Sequence, residues 1–134
     1  MSQFITLTAD DEHSFAAYHV APMQQTNKAL VVIQEVFGVN SHIRSVCDRY
    51  AHHGYEVIAP ALFDRQEKNV ELDYIEQDLN KGIQLATDIG HDKALKDIAA
   101  CIRSSPCPYP DGLRQASSTP ARRGRRGSRD GPDA

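Results

Sequence analysis

One short segment, Gln34-Glu35-Val36-Phe37-Gly38-Val39-Asn40, concentrates the residues of this sequence that could do chemistry. It directly follows the apolar run Ala29-Leu30-Val31-Val32-Ile33 and precedes a helix that Asn40 or Ser41 can cap. Glu35 is a carboxylate at the end of five apolar residues, a setting in which burial would disfavour its charged form. Gly38 permits backbone shapes that other residues resist, and a helix beginning near Ser41 aims free N–H groups at the same region. In open parallel sheets ligands bind at the carboxyl ends of strands, so the segment is well placed for a site. A solvent-facing loop with an ordinary turn glycine has the same residues, and spacing alone does not separate the two.

Other reactive residue types lack a pattern. The three cysteines, Cys47, Cys101 and Cys107, have no paired spacing, which points to a reducing compartment rather than a disulfide framework. Cys47 is expected on the buried face of a helix and Cys101 beside a buried stripe, and Cys107 lies between Pro106 and Pro108. Each reads as a passive residue, since a reactive thiol needs an electropositive, accessible setting. His52 and His53 suit a helix C-terminus, while His13, His19, His42 and His91 are scattered without metal-ligand spacing. No internal repeat and no Gly-rich phosphate loop occurs.

Behind the segment lie the elements that must position it. Gln3–Thr8 and Ser14–Val20 read as a strand pair joined by the Ala9–His13 turn, and Ala21-Pro22 stops the second strand. The unalternating Ala29–Ile33 run fits a strand buried on both faces of a mostly parallel sheet. Ile43, Val46, Cys47, Tyr50 and Ala51 mark a helix that Gly54 ends, and Tyr55–Pro60 reads as the next strand. Ala29–Pro60 is therefore a strand–helix–strand crossover. Leu72, Ile75, Leu79, Ile83 and Ala86 mark a second helix; Leu95, Ile98, Ala99 and Ile102 mark a third beyond Gly90. The expected class is α/β: hairpin, βαβ unit and two further helices, opening a fold larger than these elements complete.

Composition divides the 134 residues. The overall charge of −3 hides a first part, residues 1–102, with eight Lys and Arg against fifteen Asp and Glu, and a remainder with seven Arg and three Asp. The remainder holds five of the seven prolines and one large aliphatic residue, Leu113. It cannot offset the entropy of ordering its backbone, so residues 104–134 are expected to be a disordered tail. Translation out of frame would give this composition. An Arg-rich nucleic-acid or acidic-partner contact through Arg122–Arg129 is the alternative function, although no aromatic residue interleaves the arginines. The acidity of the first part argues against nucleic acid there. No apolar run approaches the ~18–20 residues that span a bilayer, and the N-terminus has no basic and apolar leader.

The Gln34–Asn40 segment, Arg44, and Gly54-Tyr55-Glu56-Val57-Ile58-Ala59-Pro60-Ala61-Leu62-Phe63 resemble the dienelactone hydrolase family (carboxymethylenebutenolidases) of the α/β-hydrolase superfamily. The resemblance runs from Phe4 to Arg103, so residues 1–103 are the expected hydrolase portion. It implies hydrolysis of a small lactone or ester by a Cys–His–Asp triad, without metal or organic cofactor, in the cytoplasm. It implies that Glu35 contacts the nucleophilic cysteine and that the Val36 N–H is one oxyanion donor. Arg65, in Asp64-Arg65-Gln66-Glu67, is the candidate for binding a substrate carboxylate. The family's Gly-x-Cys-x-Gly elbow is absent, and no His follows Cys107. The expectation is a chain interrupted before its nucleophile, and inactive. The resemblance says nothing of oligomeric state.

Overall fold

A computed structural model describes residues 2–105. The strands are β1 (Ser2–Thr8), β2 (Ser14–Val20), β3 (Ala29–Val31) and β4 (Glu56–Pro60). The helices are α1 (Ser41–His52), α2 (Glu76–Ile89) and α3 (His91–Ser104), with a short 3-10 turn at Leu62–Arg65. The strands form one sheet in the order β1-β2-β4-β3. β1 with β2 and β2 with β4 run antiparallel, and among the described residues only β3 with β4 is parallel. The sheet is therefore mixed where a mostly parallel one was expected. The βαβ unit is present as read, because α1 returns the chain to a strand beside and parallel to β3.

Alternation along β2 and β4 divides the core into two layers. Tyr18, Val20, Val57 and Ala59 face Ile43, Cys47 and Ala51 of α1. Phe15, Ala17 and Ile58 face Ala100 and Cys101 of α3 on the other side. β2 and β4 thus each have one face toward α1 and the other toward α3, and all five residues of the central β4 are buried.

Local signals set the ends of α1. Asn40 Oδ1 accepts from the Ile43 N–H at 3.1 Å, an N-cap bond, and Gly54 follows at φ +97°. Three expectations change. β3 ends at Val31, lies at the sheet margin and is half-buried, while Ile33 is 47% exposed. An apolar run signals burial only when strands flank it on both sides, and here one flank has no strand among the described residues. Helix α2 begins at Glu76, beyond Leu72 and Ile75, and Leu79 and Ile83 face outward. In α3 the inward residues are Asp97, Ala100 and Cys101, while Leu95 is 60% exposed. The apolar stripe mis-assigned that face because a charged residue, Asp97, lies at its centre.

The tail reading, Cys107 and the Arg122–Arg129 cluster lie outside the described residues. Among the described residues no helix is long and apolar enough to cross a membrane. Nor do three or more His, Cys, Asp or Glu side chains gather there in a metal-holding group.

Candidate active site

The Gln34–Asn40 loop leaves the carboxyl end of β3 and enters α1, as the crossover requires. Its path is fixed by direct bonds. Gly38 N–H donates to the Glu35 carbonyl at 3.2 Å, and the Gln34 side chain accepts from Leu62 N–H at 3.0 Å while donating to the Glu35 carbonyl at 3.1 Å. Arg44 reaches back to the Val39 carbonyl at 2.8 Å and pairs with Glu71 at 3.1 Å. Leu72 N–H donates to the Phe37 carbonyl at 2.9 Å, so residues 70–75 lie as a strap along the loop.

Two glycines make these approaches possible. Gly38 has φ +88°, and a Cβ there would lie 2.1 Å from the Val70 carbonyl oxygen. A Cβ on Gly82 of α2 would lie 1.9 Å from the Val36 carbonyl oxygen. The first is the turn glycine already recognised in the sequence. The second is a helical glycine, costly by about 1 kcal/mol on propensity and required because α2 runs against the backbone of Val36. Only its position in an otherwise good helix hinted at it.

Glu35 is exposed, so the burial expected from the preceding apolar run does not occur. Its Oε1 accepts from the Tyr74 hydroxyl at 3.1 Å. The Val36 N–H has no acceptor among the described residues. Glu35 and Val36 together line an open cavity of about 260 Å³ whose walls include Leu62, Phe63, Ala86 and Ile89. An unused N–H beside an apolar cavity is what a developing oxyanion needs, and a fixed carboxylate can act on a neighbouring nucleophile.

Arg65 is placed differently. Its Nη1 and Nη2 donate to Asp11 at 2.7 and 3.1 Å, while Nε and Nη2 donate to Asp97 at 3.2 and 2.8 Å. Every guanidinium nitrogen is engaged, the side chain is 8% exposed, and it does not line the Glu35 cavity. The Asp11 bond, followed by Asp97, raises the Arg65 pKa, and Arg65 in turn holds Asp11 down at about 2. Burial pushes the Asp97 carboxyl up and Arg65 draws it back. Arg65 ties the β1–β2 turn to α3.

Cys47 and Cys101 are fully buried, and burial pushes their thiols up to about 11 and about 12. A thiol so placed supplies almost no thiolate at neutral pH. Neither lines the cavity beside Glu35.

A parallel crossover whose loop presents a backbone N–H and a carboxylate beside a cavity defines a partial α/β fold with a site at its strand ends. Residues 15–108 match the dienelactone hydrolase family model, and the chain belongs to that family. A protein of Azospirillum brasilense provisionally named carboxymethylenebutenolidase is 38% identical over 91 residues, covering 66% of this chain and 39% of the relative. The carboxymethylenebutenolidase of Pseudomonas putida is 27% identical over 114 residues, covering 84% of this chain and 48% of the relative. The structure of a provisionally named dienelactone hydrolase from Klebsiella pneumoniae superposes with TM-score 0.57 at 29% identity, covering 74% of this chain and 42% of the other. The chain thus spans less than half the length of each of these relatives.

Proposed function

We propose that residues 1–103 carry the oxyanion-binding half of a cytoplasmic hydrolase of small lactones or carboxylic esters. In this reading Val36 N–H stabilises the oxyanion formed when a cysteine attacks the substrate carbonyl, and Glu35 controls the ionisation of that cysteine. The observation carrying it is the unpartnered Val36 N–H next to the Glu35 carboxylate at one cavity. Substrate-carboxylate binding by Arg65 is not part of the proposal, because its donors are spent on Asp11 and Asp97.

The 134-residue chain by itself is proposed to be inactive. Its sequence contains no Gly-x-Cys-x-Gly elbow, and nucleophile, base and orienting acid act as a unit whose partial loss removes most of the rate. Purified chain should hydrolyse p-nitrophenyl acetate at the buffer rate; turnover abolished by cysteine alkylation would overturn this. The positive half is tested in a chimera, with residues 1–103 replacing the matching region of the Pseudomonas putida enzyme. The chimera should hydrolyse the ester, and Glu35→Gln should lower kcat/KM roughly 100-fold. A folded chimera indifferent to Glu35→Gln would refute the role.

A further inference from the structure

We propose that Tyr74 is a positioning residue for Glu35, acting through a hydrogen-bond relay whose direction is set at the start of α1. The relay has three members. Asn40 is buried and caps the helix, its Oδ1 accepting from the Ile43 N–H at 3.1 Å. A backbone N–H can only donate, so this bond fixes the amide: Nδ2 points away and donates to the Tyr74 hydroxyl oxygen at 3.0 Å. The Tyr74 proton is thereby freed to donate to Glu35 Oε1 at 3.1 Å. A bond that orients a helix cap also orients, two links away, an exposed carboxylate.

The surroundings hold the relay in one arrangement. The Tyr74 ring meets Phe37 edge-on at a centroid distance of 4.4 Å, which seats the hydroxyl over the loop. The strap carrying Tyr74 is tied down by the Leu72–Phe37 backbone bond and the Arg44–Glu71 pair. Gly38 lets that strap approach, since any Cβ there would overlap the Val70 carbonyl. Glu35 Oε2 has no partner among the described residues and is left for a neighbouring reactive group. An exposed glutamate otherwise samples several rotamers, and Tyr74 removes that freedom.

The significance of Glu35's orientation rests on the function proposed above, whereas the relay does not. The test measures Glu35 χ1 populations from three-bond NMR couplings in the folded 134-residue chain. The native chain should show one dominant rotamer. Tyr74→Phe keeps the ring on Phe37 and deletes the proton; Asn40→Asp keeps the cap acceptor and turns the Tyr74 hydroxyl toward the new carboxylate. Both should spread Glu35 across roughly three staggered wells. Native couplings in either folded variant would overturn the proposal, and if Asn40→Asp does not fold, Tyr74→Phe decides alone. In the chimera, Tyr74→Phe should lower kcat per folded active site, counted by cysteine titration, roughly tenfold with KM unchanged, whereas a loss of stability would lower the count of active sites and leave that normalised kcat at its native value. A chimera insensitive to Glu35→Gln would remove the catalytic meaning yet leave the coupling result standing.

Discussion

Glu35 and Arg65 are both charged residues placed just beyond β-strand ends, and they occupy opposite environments. Glu35 is exposed, touches one hydroxyl and keeps a free oxygen beside an unpartnered N–H. Arg65 is buried and shares all its nitrogens between two carboxylates. A charge with unspent hydrogen-bonding capacity on a hydrogen-bonded loop can serve chemistry, while one whose capacity is exhausted serves the fold. Sequence position could not separate them, because the deciding partners, Tyr74, Asp11 and Asp97, lie 32 to 54 residues away.

Breaking the Arg65 side of this contrast should have the largest effect. Asp97→Ala leaves a buried guanidinium short of one carboxylate and should destabilise the chain by about 3–5 kcal/mol in urea unfolding. A loss under 1 kcal/mol would mean that Arg65 is better solvated than its burial indicates. The Glu35 side is probed next through its glycines. Gly38→Ala combines positive φ with overlap on Val70 and should cost about 2–5 kcal/mol, read by the same unfolding curves. Gly82→Ala is sharper because its sign is at stake. Propensity alone would stabilise α2 by about 1 kcal/mol, whereas a Cβ 1.9 Å from the Val36 carbonyl should destabilise and shift the Val36 amide resonance.

Acid separates the two regions more gently. Arg65 lowers the Asp11 pKa in the folded chain to about 2, from an ordinary value of 3.8. The contribution of Asp11 to stability is therefore present above pH ~4 and is lost as pH falls toward 2. The difference in melting temperature between native and Asp11→Asn chains should narrow over that interval; a constant difference would show that Asp11 is not held by Arg65. The smallest effect is expected on the bare face of α2. Leu79→Ser, at a 37% exposed position, should change stability by no more than about 0.5 kcal/mol, checked by thermal melting.

Much of this was legible in order of locality. The Asn40 cap, Gly54, Gly90 and the β3-α1-β4 crossover depend on neighbouring residues and on hydrophobic period, and each is present in the structure. The faces that α2 and α3 turn inward are not legible in the sequence, for a shared reason. A periodic stripe says that a helix has a face, not what meets it, and in α3 Arg65 draws the charged Asp97 inward.

The sequence by itself determined the family, the crossover and the loop that presents Glu35 and Val36, because short-range pattern and motif are enough for these. Tertiary structure decided which charges are spent and which remain available. It brought Tyr74 to Glu35, set Gly82 against Val36 and enclosed Arg65 between Asp11 and Asp97. Those pairings depend on where distant backbone segments come to rest, and no local propensity encodes that distance.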